Sequence, residues 1–312
     1  MFALFIQTMN VTAPVFMMLL LGVLLKRWRW IDDVFVMSVS KLVFKGTLPV
    51  LLFLAILKAD LSVALNPSFI IYFSLATLAT FTIAWGWALW RCPQVDRGVY
   101  VQGAFRGNNG IVGLALATSL YGDYGLSVGG VLAGIVILLY NTLSAIILEI
   151  YSPKNTTSFK SIALSIGKNP LIIGVVSAIP FAYFQVGFPE WLMSSAKSFA
   201  QMSLPLALIC IGAALTWRQL KEGGRLAISS SLMKVLWLPV IATTGAWLYG
   251  FEGKDLGILF LYFASPTAAA SFVMAQAVGS NHQLAASIIA LTTVISVLTI
   301  NLGLFILEIL HI

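Results

Sequence analysis

The sequence predicts an all-α integral membrane protein of ten transmembrane helices, built as a 5+5 inverted repeat whose fourth and ninth helices are interrupted. Three observations carry this. Hydrophobic residues make up 60% of the 312 and charged residues 9%, with a mean hydropathy of +0.97, a composition outside the soluble globular range. Ten apolar runs reach the length of about 17 to 25 residues that a bilayer crossing needs. The two halves also repeat each other at a nearly constant offset.

In chain order the runs cover residues 5–25, 35–57, 68–90, 98–120, 126–149, 169–187, 198–216, 227–249, 256–278 and 284–308. The first has no basic stretch before it and is followed by Lys26-Arg27-Trp28-Arg29, which reads as a retained span with a stop-transfer flank. Connections are short, and the longest, 151–168, is rich in Ser and Thr, so no soluble domain is expected.

Basic residues orient the bundle. Lys26, Arg27 and Arg29 follow span 1, Arg91 and Arg97 follow span 3, Lys154, Lys160 and Lys168 follow span 5, and Arg218, Lys221 and Arg225 follow span 7. By the positive-inside rule these alternate loops are cytoplasmic. Ten spans then leave both termini on the non-cytoplasmic side of a cell membrane. The formal net charge of +7 is thereby explained by loops, and no basic run points to nucleic acid. Trp28, Trp30, Trp90, Trp191 and Trp217 cluster near expected span ends, as an interfacial belt does.

The repeat is read from residue offsets. Pro14 and Pro170 are 156 apart, as are Thr47-Leu48-Pro49 and Ser203-Leu204-Pro205; Glu149-Ile150 and Glu308-Ile309 are 159 apart. Residues 1–150 and 151–312 therefore form two five-span repeats. An odd number of spans per repeat inverts the second relative to the first, the plan of secondary transporters.

Two polar interruptions fall in register. Ala104 to Ala117 carries Arg106, Asn108, Asn109 and Gly110 within an apolar span, and Ala264 to Ser271 carries Ser265, Pro266 and Thr267; an offset of 159 sets Asn108 opposite Thr267. Such backbone survives at membrane depth only where protein or a wet cavity surrounds it. Paired interruptions in corresponding positions mark the binding site of a transporter.

The basic residues inside spans are Lys41, Lys45, Arg106 and Lys234, and no acidic residue lies comparably deep, Glu149 and Glu308 sitting at span ends. A charge at the bilayer centre costs at least about 2.5 to 3.5 kcal/mol, so such residues are functional by default, and a cationic interior suits an anion. Arg106 offers a planar donor fork for a carboxylate, Lys45 is expected as a second charge partner of the anion, and Asn108, Asn109 and Thr267 are the expected orienting groups. Two roles stay open at the break: substrate binding, or asparagines that cap the broken helix while Arg106 braces its carbonyls. Lys41 and Lys234, which can snorkel on long stems, and Gln276 and Asn141, which suit interhelical hydrogen bonds, are secondary candidates. Cys92 and Cys210 read as unpaired thiols. No metal cluster, cofactor motif or catalytic constellation is expected.

The G-N-N-G-I-V-G-L run from Gly107, the T-L-P of span 2, Lys234 with its following L-W-L-P, and S-P-T-A-A-A-S-F-V-M-A-Q from Ser265 resemble the auxin efflux carrier family in its compact bacterial form, similar in fold to bile acid/sodium symporters and sodium/proton antiporters. The resemblance covers essentially the whole chain. It implies crossing of the broken helices 4 and 9 at mid-membrane, with Asn108, Asn109 and Gly110 in the first crossover and Pro266 with Thr267 in the second. It also implies scaffold and transport domains, each drawn from both repeats, that move like an elevator. The expected substrate is a small organic anion, such as malonate, malate or an auxin-like acid, carried by uniport or with protons. Ala115 stands where the family often has proline. Alternatives are a sodium-coupled symporter, a cation/proton antiporter, or a receptor that does not transport. A homodimer in the lipid bilayer is a further expectation.

Overall fold

The computed structural model describes residues 2–58, 66–152, 170–214 and 224–310. Among them every extended element is a helix, and the lone β feature is an antiparallel bridge between Gly107 and Thr267. The helices are α1 (Phe2–Arg27), α2 (Asp33–Leu42), α3 (Leu48–Lys58), α4 (Pro67–Arg91), α5 (Arg97–Phe105), α6 (Leu114–Ile150), α7 (Pro170–Tyr183), α8 (Glu190–Gln201), α9 (Ser203–Ala214), α10 (Gly224–Leu232), α11 (Leu238–Tyr249), α12 (Gly253–Ala264), α13 (Ala270–Ala277) and α14 (His282–Leu310). Helix starts carry expected chemistry: Asp32 accepts from the Phe35 amide at 2.7 Å, and Asn66 accepts from the Ser68 amide at 3.0 Å ahead of Pro67.

Among the described residues six stretches are long and apolar enough to cross a membrane: Asp33–Leu54, Pro67–Arg91, Asn109–Ile150, Glu190–Ala214, Gly224–Tyr249 and His282–Leu310. The other expected runs are also helical, as α1, as α5 with the start of α6, as the described part of α7, and as α12 with α13. Span 7 begins at Glu190, ahead of the expected 198. Ser194, Ser195, Lys197 and Ser198 interrupt its apolar run, but α8 places them on an exposed face, so helical geometry tolerates what hydropathy counts as a loop.

Wide turns of π-helix join α2 to α3 (Val43–Thr47) and α10 to α11 (Met233–Trp237). Each is followed by Leu-Pro, with the prolines at Pro49 and Pro239. The amides of Leu48 and Leu238 reach back five residues to the carbonyls of Val43 and Met233. Proline cannot donate to the ladder and its ring crowds the preceding turn, and one extra residue relieves that crowding.

Gly122 has φ 57° and ψ −137° inside α6, a region open only to glycine. The chain reverses there. A side chain on Gly98 would press on the Ile147 carbonyl, and one on Gly129 would meet Leu114, so the two limbs run antiparallel. The expected spans 4 and 5 are thus a hairpin with a one-residue corner.

Glycine also sets the closest helix crossings. A methyl group on Gly212 of α9 would collide with the Leu19 carbonyl of α1, and one on Gly22 with the Ile209 carbonyl; one on Gly174 of α7 would collide, less severely, with the Pro49 carbonyl of α3. Small residues let membrane helices approach backbone to backbone. Outside, large apolar side chains such as Leu248, Leu75 and Leu298 are exposed, a surface that belongs in hydrocarbon. Trp28, Trp30, Trp90 and Trp191 are exposed near helix ends, with Arg91 stacked 4.0 Å over Trp90; Trp217 lies outside the described residues.

Candidate substrate site at the two helix breaks

The two interruptions meet. α5 stops at Phe105 because Arg106 turns extended, with ψ 101°, and α12 stops at Ala264 because Ser265 does the same, with ψ 138°. The freed backbone groups then satisfy one another. The Asn108 amide donates to the Pro266 carbonyl at 2.7 Å and the Ala268 amide donates to the Arg106 carbonyl at 3.1 Å. The offset of 159 expected Thr267 opposite Asn108; the bridge pairs it with Gly107. Thr267 is locked on both sides, its amide donating to Thr292 Oγ1 at 3.0 Å and its hydroxyl to the Gly103 carbonyl at 2.7 Å. Ser265 returns its hydroxyl to the Leu261 carbonyl of its own helix. Thus Pro266 and Thr267 build the crossing, and their polar groups are spent on it.

Most of the groups left with capacity come from the first break; in the second, the buried Ser271 hydroxyl also lacks a hydrogen-bond partner. Arg106 is 6% exposed. Its Nη2 donates to Asn141 Oδ1 at 2.8 Å, its Nη1 faces the Met274 sulfur at 2.7 Å, and its Nε has no partner. A thioether is a weak acceptor, so the fork is poorly matched as it stands. Asn109, fully buried, donates from Nδ2 to Tyr140 Oη at 3.4 Å, while its Oδ1 has no partner. Asn108 makes no side-chain cap; its carbonyl accepts from the Val112 amide at 2.8 Å. At Gly110 a methyl group would meet open space, so the wide turn Asn109–Gly113 that opens the second half-span has room beside it.

Lys234 joins this site. Ser230 of α10 donates to the Tyr100 carbonyl of α5 at 3.0 Å, fixing the two helices side by side, and Lys234 lies one turn on. It is 2% exposed and donates from Nζ to the Phe263 carbonyl at 2.6 Å. A methyl group on Gly107 would stand 3.2 Å from that Nζ and would collide with Asn109 Oδ1, so the ammonium and the amide oxygen converge at the crossing. The lysine caps the C-terminal end of half-helix α12, where the dipole favours a cation.

Lys45, expected beside Arg106 as a charge partner of the anion, is exposed on the wide turn Val43–Thr47, and Lys41 is exposed on α2; the principal neighbours of that turn beyond α2 and α3 are α7, α8 and α9. Counting residues gave their depth and left their direction open. Val43, Thr47 and Leu48 take the buried face of the turn, which sends both lysines outward. Asn141 makes the interhelical bond that suits it, to Arg106. The Gln276 side chain lies outside the described residues.

Sequence reasoning passed over Gln102, Met274, Tyr140 and Thr292. Gln102 is fully buried, with Nε2 3.7 Å from the Met274 sulfur and Oε1 without a partner. It precedes Arg106 by four residues, and that spacing shares a helical face, so the signal was present. Met274 carried none. A cavity of about 610 Å³ lies elsewhere, between α4 and α10–α11, lined mainly by apolar residues with Trp87 and Trp237.

The sequence profile of the family described as membrane transport protein matches residues 8–303. The chain belongs to that family. The match bears out the auxin efflux carrier resemblance and makes the protein a multi-pass membrane transporter. Two archaeal relatives bear the same kind of name. An uncharacterized transporter of Methanocaldococcus jannaschii is 28% identical over 205 residues, which is 63% of this chain and 64% of that protein, just under two thirds of its length. Another, from Methanothermobacter thermautotrophicus, is 22% identical over 305 residues, covering 96% of this chain and 98% of the relative.

Proposed function

We propose that the protein carries a small organic anion, a mono- or dicarboxylate, across a cell membrane by elevator-type alternating access, as a uniporter or with proton linkage. One observation carries the reading. At the meeting of two broken helices, Arg106 and Lys234 are buried and neither forms an ion pair among the described residues. A buried cation is retained when something pairs with it, and a carboxylate fits the guanidinium fork better than Met274 does. Asn109 Oδ1 and Gln102 Oε1, unpaired and buried, would accept from a hydroxyl or protonated acid on the substrate.

The ten-span inverted repeat is part of this proposal. Its support is the symmetry of packing: α1 lies against α9 and α3 against α7, so exchanging the repeats turns the span 1 and span 7 contact into that of spans 6 and 2. Those four spans would form the scaffold. The crossing helices, with α4, α10–α11 and α14, would form the moving transport domain.

The test is uptake of malonate and malate into proteoliposomes. Arg106→Ala, folded as judged by melting and gel filtration, is expected to lose about 10- to 100-fold in uptake, the value of a charge-assisted hydrogen bond. Uptake equal to wild type would remove Arg106 from the substrate.

A further inference from the structure

We propose that Lys234 is a tethered coupling cation: its ammonium fills the place at the crossing where a dissociable monovalent cation would otherwise sit, and the carrier therefore works without sodium. This rests on the anion-carrier reading above. In carriers with discontinuous helices, unwound carbonyls and the C-terminal ends of half-helices hold the coupling ion, because carbonyl oxygens and the negative dipole end face one point. Here that point is the end of α12. The Phe263 carbonyl lies in its last turn, and Lys234 Nζ sits on it at 2.6 Å.

The surroundings suit a cation. Asn109 Oδ1, buried and unpaired, converges with the ammonium at Gly107, and Gly107 must lack a side chain for both to approach. No group of three or more His, Cys, Asp or Glu among the described residues could hold a metal ion. The wide turn Met233–Trp237, forced by the following Leu-Pro, carries Lys234 one position from its start. α10 is tied to α5 through Ser230, so the lysine is held level with the crossing. An ammonium on a four-carbon stem differs from a bound ion in one respect that matters here: it does not dissociate, so it moves with the site and fixes the charge beside the substrate in every state.

The experiment is melting of detergent-purified protein at constant ionic strength, with N-methyl-D-glucamine replaced stepwise by sodium, lithium or ethylammonium. Wild type is expected to melt within about 1 °C in all of these. Lys234→Ala leaves the Phe263 carbonyl unpaired and a space of ammonium size, and should melt about 5 °C lower. Sodium or ethylammonium should restore at least half of that loss, saturably. Lys234→Met fills the space without a charge and should show the loss without the recovery. Saturable stabilisation of wild type by sodium would overturn the proposal, as would a folded Lys234→Ala that no small cation restores. Should Lys234→Ala give no folded protein, Lys234→Gln decides: melting at the wild-type temperature overturns the proposal, and a fall of several degrees upholds it. Malonate counterflow runs in parallel. Absence of flux with every cation would refute the anion-carrier reading alone, since the melting series judges Lys234 without reference to transport.

Discussion

A single methyl group at Gly107 probes the crossing more directly than removal of any charge. It would strike Asn109 Oδ1 and press on Lys234 Nζ, displacing both groups while leaving every charge in place. Gly107→Ala is expected to fold with a lower melting temperature and to lose at least about 10-fold in malonate uptake, the cost of moving one polar contact out of reach. Parallel uptake and melting series on the same preparation check it. At this scale the sequence revealed Arg106, because a guanidinium beside N-N-G in an apolar span has few reasons to exist. It ranked Lys45 above Lys234 because depth can be counted along a chain whereas direction around a helix axis cannot. The two lysines sit in the same local device, a wide turn before Leu-Pro, and neighbouring helices alone turn one inward to Phe263 and leave the other exposed.

Among the elements, α1 and α9 make the tightest junction. With Gly22 and Gly212 each against a partner carbonyl, no side chain separates the two backbones. Gly212→Leu is expected to cost about 1 to 3 kcal/mol by overpacking, a fall of roughly 2 to 10 °C in melting temperature for a chain of this size, measurable by differential scanning fluorimetry. Exposed Leu248→Ala on α11 should change it little. The breaks were legible as elements, since Pro, Gly and paired Asn stop a helix wherever they fall, and the offset brought the right two together to within one residue. The start of α8 was not legible. Hydropathy averages over all faces of a helix, and the polar face of residues 190–201 lowers that average below what a span shows.

For the whole molecule, alternation of basic loops sets the expected orientation with both termini outside the cytoplasm. A C-terminal alkaline phosphatase fusion should be active in a bacterial host and a C-terminal green fluorescent protein fusion dark; the opposite pattern would reverse the topology. In the sequence the proposed inverted plan rests on a few proline and glutamate offsets. The reciprocal packing of α1 on α9 and α3 on α7 was not legible there, because contacts between distant helices leave no mark in composition.

The one-residue corner at Gly122 bears on how the chain reaches the membrane at all. Taken singly, the span that holds Arg106, Asn108 and Asn109 is a poor candidate for partition into lipid, since each polar side chain would meet hydrocarbon before any partner existed. A corner this short leaves no loop to keep the two limbs apart during biosynthesis. The second limb carries Asn141, the acceptor of the Arg106 Nη2 bond, and Tyr140, the partner of Asn109. The pair is expected to enter as one hairpin with these hydrogen bonds already made, and a flexible linker inserted at Gly122 should cut membrane integration of the nascent chain well before it affects the melting of the molecules that do mature.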